Sequence, residues 1–177
     1  VRLLLGLGGN QWEVAATLAG ALAAVAHRFP VVAVSSLWRT GAVGPPQPDF
    51  LNAAAILEVD VHPLRVLAFC QHLEAAAGRR REGEVRHGPR PLDLDLLMVP
   101  GLVMEGPALT LPHPRLAERR FALLPAAELA AAWVHPRRHL ALAALAALVP
   151  SDEQLCHRLG PFPWQPPRRR RRGLGAA

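Results

Sequence analysis

Two carboxylates, Asp93 and Asp95, stand two residues apart in the alternating run Leu92-Asp93-Leu94-Asp95-Leu96. Strict alternation is the pattern of a β-strand, and side chains at i and i+2 of a strand project from the same face. Two like charges held side by side repel, and both are costly to bury among leucines. A divalent cation relieves both problems. Mg²⁺ in particular takes one or two carboxylates and completes its shell with water and phosphate oxygens. The alternative is a solvated face of an edge strand, where the same pair does no chemistry.

The segment leading into this strand, from Arg79 to Arg90, is charged, glycine-punctuated and aperiodic, which is the pattern of a loop. It carries Arg79, Arg81, Arg86 and Arg90. Guanidinium forks take phosphate oxygens two at a time, and a mobile loop can close over a polyphosphate once it has arrived. A solvated charge run, partly paired with Glu82 and Glu84, is the other reading. Carboxylates for a metal beside several arginines form the usual kit for phosphoryl or pyrophosphoryl transfer. All 20 Lys-plus-Arg positions are Arg. A GC-rich genome explains that bias, yet it leaves phosphate contacts to guanidinium groups, His and backbone N–H. His113, between two prolines, reads as a turn residue or a phosphate donor. Phe50 and Phe121 read as core aromatics or as stacking faces for a flat ligand. Gly6-Leu7-Gly8-Gly9-Asn10 has neither a following Lys-Ser/Thr nor GxGxxG spacing, so it reads as a tight turn after the first strand.

These residues need elements to position them. Val1–Leu7 reads as a buried strand, and Trp12–His27 as a helix with Val14, Leu18, Leu22 and Val25 on one face. Val31–Trp38 is rich in β-branched residues and reads as one strand, followed by a Gly/Pro loop and a second strand at 51–59. A helix over 62–77 follows, closed by Gly78. After the DxD strand come helices near 116–132 and 139–148. The order strand–helix–strand–strand–helix–strand predicts an α+β ferredoxin-like sandwich with extra C-terminal helices. The domain is expected to span residues 1–150. The Pro- and Arg-rich residues 151–177 read as a poorly ordered tail.

Composition narrows the field further. A chain of 177 residues with 51% apolar residues can bury one sizeable core. Its formal charge is +6, but Arg168–Arg172 supply five of those charges, leaving about +1 elsewhere. Net charge therefore gives no case for nucleic acid. Cys70 and Cys156 lie far apart and without ligand spacing, as reduced thiols in a cytoplasmic protein do. No apolar stretch has the length of a membrane span, and the N-terminus shows no signal-peptide pattern. A cytoplasmic monomer acting on small molecules is the expectation.

Several stretches together resemble the 6-hydroxymethyl-7,8-dihydropterin pyrophosphokinase family. They are Gly8-Gly9-Asn10, Ser35–Thr40, Gln47–Ala54, Gly88-Pro89-Arg90-Pro91-Leu92-Asp93-Leu94-Asp95, Leu111–Pro114 and Arg119–Phe121. They fall in order over roughly residues 2–148. The word G-P-R-x-L-D-L-D is the most specific of them. The chain departs from the family pattern at Gly9, where Ser is frequent, and at His87 and Pro114, where Trp and Tyr are.

The resemblance implies diphosphate transfer from ATP to a reduced pterin, in folate biosynthesis, by direct in-line attack. It implies that Asp93 and Asp95 hold Mg²⁺, two ions in the family, and that Arg81 and Arg90 act with them as catalytic residues. Gln71, Glu74, Arg79, Arg86, Thr110, His113 and Arg119 would meet ATP. Thr40, Ala42, Val43, Phe50, Asn52 and Phe121 would bind the pterin, with the two phenylalanines sandwiching the ring. The rival from another class is an RNA-binding module, which can share the same element order. Such modules stack bases on aromatics of the first and third strands, and neither Val1–Leu7 nor 51–59 carries one. A catalytically dead relative is a third reading, against which the intact Asp pair stands.

Overall fold

The computed structural model describes residues 1–42, 44–80, 88–150 and 155–164. Its elements are β1 (Arg2–Gly9), α1 (Val14–Arg28), β2 (Val31–Val34), β3 (Ser36–Thr40), β4 (Phe50–Glu58), α2 (Pro63–Ala76) and β5 (Asp93–Met98). They continue with a 3₁₀ turn at Leu116–Glu118, α3 (Arg120–Ala130), β6 (Val134–His135), β7 (Leu140–Ala141), α4 (Leu142–Leu148) and β8 (Cys156–Pro161). The main sheet runs β5-β1-β4-β3-β8, with β2 also pairing with β4, and every pairing is antiparallel. The strands β6 and β7 form a separate small hairpin.

The alternation in β1 explains the layering. Leu3, Leu5 and Leu7 face one side, where they meet Leu18, Leu22 and Val25 of α1 and Val66 and Cys70 of α2. The buried stripe of α1, Leu18-Ala21-Leu22-Val25, follows helical spacing. Leu4 faces the other side and joins Ala54, Ile56 and Met98 under α3 and α4, through Leu123, Ala126, Leu142 and Leu145. The sheet is thus buried on both faces, which accounts for leucine at successive positions of β1.

Three expectations are corrected. The single strand over 31–38 is two strands broken at Ser35, whose Oγ donates to Ser36 O (2.8 Å) and accepts the Ala54 N–H (2.9 Å). A side chain there takes over what the ladder leaves unpaired. The glycines after Leu7 form no turn, since β1 continues through Gly9 in register with β4. Packing also does not stop at residue 151. The strand β8 pairs along β3, and Phe162 is buried in the first core with Trp164 packed against it. Cys156–Pro161 lacks polar–apolar alternation and ends in Gly160-Pro161, too weak a strand signal against the surrounding composition. Residues 165–177 lie outside the described residues. Among the described residues no helix is long and apolar enough to cross a membrane.

Candidate active site

The second face of the sheet changes character along its length. At one end it carries Leu4, Ile56 and Met98 and is covered by helices. At the other end the cross-strand rows read Asp93–Gly8–Asn52–Trp38 and Asp95–Gly6–Ala54. Two glycines on β1 thus leave the floor between the carboxylates of β5 and the carboxamide of β4 bare of side chains. The resulting cleft is lined by Gly6, Gly8, Asn52, Asp93, Asp95 and Phe121, among others. A Cβ built on Gly8 would lie 2.6 Å from Asn52 Oδ1. Close approach, not a turn, is the reason for glycine at this position.

Asp93 is the better supported carboxylate. Its two oxygens accept from different arginines, Oδ1 from Arg79 Nη1 and Oδ2 from Arg90 Nη1 (3.2 Å). Arg79 is buried, with 7% of its side chain exposed, and also donates to Glu74 Oε1 at 2.8 Å. Glu74 ends the buried stripe Val66-Cys70-Glu74 of α2, and the same Oε1 accepts the N–H of Leu94 on the edge strand β5 (2.8 Å). A helix carboxylate thus anchors the strand that carries the aspartates. Cys70, beneath it, is pushed up to about 12 by burial and then by Glu74 and Asp95, so its thiol stays protonated.

Asp95 is held differently. Burial and the neighbouring Asp93 raise its carboxyl to about 7, against the partial relief that Arg119 gives. Arg119 lies with its guanidinium 5.4 Å from the centre of the Phe121 ring. Burial and Arg115 lower its own value. His113 is tied to β5 through its N–H on Leu97 O (2.7 Å), and its Nδ1 accepts from Arg115 N (3.1 Å). Burial and Arg119 push its pKa down, so the ring is neutral at pH 7, with its proton on Nε2 and available for donation.

The raised value of Asp95 has a consequence for the metal-free protein. A carboxyl whose folded pKa exceeds its unfolded one contributes stability fully present below pH 4, which is lost as pH rises through 7. Denaturant melts in chelator from pH 5 to 8 should show Asp95→Asn gaining on wild type by up to about 1.4 kcal/mol per pH unit. Parallel pH profiles for the two proteins would mean that Asp95 is not strained by its surroundings.

Asn52 Nδ2 donates to the buried Thr40 Oγ1 at 2.7 Å, so the two side chains act as a pair. Ala42 follows two residues on and is partly buried. Phe50 and Phe121 are partly buried, and among the described residues neither is counted in the two hydrophobic core clusters. Gln71 is exposed on α2 and Thr110 is partly buried ahead of His113. The structure therefore brings Asn52, Phe121, Asp93, Asp95, Arg79, Arg90 and Arg119 around one cleft. Val43, Arg81 and Arg86 lie outside the described residues.

One residue of the site had no role in the sequence reading. Asn10 is buried, donates from Nδ2 to Gln47 Oε1 and Pro48 O (both 2.9 Å), and accepts the Arg90 N–H at Oδ1 (2.9 Å). It ties the end of β1 to the segments before Phe50 and before Asp93. An Asn after a Gly pair was a signal only for a turn.

The donor set fits a hard divalent cation. Among the described residues no group of three or more His, Cys, Asp or Glu side chains could hold a metal. Two carboxylates on an open floor, one of them with a raised pKa, match what Mg²⁺ takes from a protein when phosphates supply the rest of its shell.

Comparisons with known proteins place the chain in a family. The family model described as 7,8-dihydro-6-hydroxymethylpterin-pyrophosphokinase matches residues 4–131. A 2-amino-4-hydroxy-6-hydroxymethyldihydropteridine pyrophosphokinase of Synechocystis is 41% identical over 136 residues, 76% of this chain and 69% of the relative. The enzyme of the same name from Methylorubrum extorquens is 42% identical over 73% of this chain and 82% of its own. Among solved structures, wild-type HPPK-DHPS of Plasmodium falciparum superposes with a TM-score of 0.62 at 11% identity, over 82% of this chain. This chain spans 44% of that longer one, and the likeness speaks to fold alone. With its model matched across most of the described sheet and both aspartates, the chain belongs to the 7,8-dihydro-6-hydroxymethylpterin-pyrophosphokinase family.

Proposed function

We propose that the protein transfers the terminal diphosphate of ATP to the hydroxymethyl group of 6-hydroxymethyl-7,8-dihydropterin, giving AMP, the pterin diphosphate and a proton. The observation that carries this reading is the cleft itself. A carboxylate pair on a glycine floor faces Asn52 and Phe121 on one side, and Arg79, Arg90 and Arg119 gather at the carboxylates. Polyphosphate chemistry and flat-ligand recognition are thus side by side.

On this reading the pterin ring lies against Phe121, with Phe50 as the second aromatic face, and its polar edge meets Asn52 and the backbone of Thr40–Ala42. The hydroxymethyl oxygen is held for in-line attack on the β-phosphorus, and AMP leaves. Arg90 and Arg119 neutralise charge on the diphosphate as the bond to AMP breaks, and His113 adds a neutral donor from Nε2. Arg79 is a positioning residue, because its guanidinium is engaged by Glu74 and Asp93. Asp93 and Asp95 would hold the Mg²⁺, which when bound polarises phosphate oxygens and the attacking hydroxyl. Orientation supplies much of the rest. The chain order and the antiparallel strand order β5-β1-β4-β3 support a ferredoxin-like sandwich extended by β8. The RNA-binding alternative gains no support from the family match.

The test is direct. Purified protein given ATP, Mg²⁺ and 6-hydroxymethyl-7,8-dihydropterin should form AMP and pterin diphosphate in equal amounts, and none without the pterin. Release of ADP or orthophosphate instead, or AMP formation indifferent to the pterin, would overturn the proposal.

A further inference from the structure

Glu128, on α3 and away from the cleft, gathers four hydrogen bonds on one carboxylate. Oε1 accepts from Ser36 N (3.1 Å), Ser36 Oγ (2.7 Å) and Arg158 Nη2 (3.2 Å), and Oε2 accepts from the Trp38 indole (3.1 Å). Burial works against the charge, but the bonds from Ser36, Trp38 and Arg158 hold the carboxyl below its ordinary range. One anion therefore joins three elements: α3, β3 and the C-terminal strand β8.

Each of these elements leads to the ligand-facing edge of the cleft. The helix α3 starts at Arg120, directly before Phe121. The strand β3 ends at Thr40, whose Oγ1 accepts from Asn52, and Trp38 pairs with Asn52 across the ladder. The strand β8 pairs Cys156 with Thr40 and Arg158 with Trp38, and the Gly41 N–H donates to Leu155 O at 3.0 Å. Without β8, β3 would be a sheet edge, and its last residues would have no partner on that side. Residues 155–164 also lie beyond the 4–131 span of the family model.

We propose that Glu128 and β8, joined through Arg158, are positioning elements for the pterin: they hold Thr40–Ala42 and Asn52 in register with Phe121 without touching the ligand. The inference rests on the pterin reading given above and adds to it the determinant of pterin affinity. It also separates the two substrates, since the arginines and aspartates on the polyphosphate side are anchored by α2 and β5 instead. Glu128→Gln turns one acceptor oxygen into a donor facing Ser36 or the Trp38 indole, at unchanged size.

The experiment is calorimetry on the full chain with Mg²⁺. A non-hydrolysable ATP analogue is titrated first, then 6-hydroxymethylpterin at saturating analogue. Glu128→Gln should raise the Kd for the pterin at least tenfold and leave that for the analogue within twofold. Arg158→Ala, at a half-exposed side chain, should raise the pterin Kd about threefold, and Arg158→Lys should restore it. A pterin Kd within twofold of wild type in both Glu128→Gln and Arg158→Ala, or equal weakening of both ligands, would overturn the role of the clamp. Absence of pterin binding by the wild type would instead overturn the reading of the cleft.

Discussion

Asp93→Asn and Asp95→Asn should each cut diphosphate transfer at least about a hundredfold, close to 2.7 kcal/mol of barrier, yet move stability in opposite directions. Both remove a charge expected to hold Mg²⁺ while keeping side-chain size. Asp93, however, is clasped by Arg79 and Arg90, and Arg79 is buried. Neutralising it weakens two charge-assisted bonds and leaves cations under-compensated, at a cost of about 1–3 kcal/mol. Asp95 carries a charge that burial and Asp93 already disfavour, so its neutral replacement relieves repulsion in the metal-free protein. Steady-state AMP release against Mg²⁺ concentration gives the rates, and denaturant melts in chelator give the stabilities. The double variant should lose less than the two singles together, since on the proposed reading both carboxylates serve one cluster. Wild-type rates in both singles would take the metal site out of the account.

Gly8→Ala should act on the other substrate. The new methyl group would stand 2.6 Å from Asn52 Oδ1, and the nearest remedy is to turn the carboxamide off Thr40. That breaks the 2.7 Å bond between them and leaves buried polar atoms unpaired, worth about 1–3 kcal/mol. The methyl also fills part of the cleft floor. A rise in the KM for the pterin of at least about tenfold, roughly 1.4 kcal/mol, is expected, with the KM for ATP nearly unchanged. Gly6→Ala, on the same floor, separates filling of the cleft from the push on Asn52, since the atoms nearest its Cβ are those of the Leu97 side chain, at 3.2 Å. Equal effects of the two substitutions would show that Asn52 moves freely.

Much of this was legible in the sequence where periodicity and chemistry coincided. The DxD strand, both helices that flank it and the face shared by Asp93 and Asp95 follow from alternation and helical spacing alone. What escaped was set by tertiary contact. Glycines in β1 look like turn residues until Asn52 and Asp93 are seen across the ladder from Gly8. Glu128 reads as a surface residue of α3, because nothing local links it to Ser36, 92 positions earlier. The partners of Asn10 stand 37 to 80 residues away. β8 is a weak strand by composition, made ordered by an open edge on β3 and a place for Phe162 in the core.

One face of β1 passes from Leu4 through Gly6 to Gly8 within five residues. The helices α3 and α4 close over the leucine end, and the glycine end is the floor of the cleft. A flat heterocycle that seats on the glycines would finish the sandwich, standing where a helix would otherwise lie. Its binding would then resemble the last step of folding, with the negative heat-capacity change that accompanies apolar burial. Occupancy would also hold the open end of the sheet shut against unfolding.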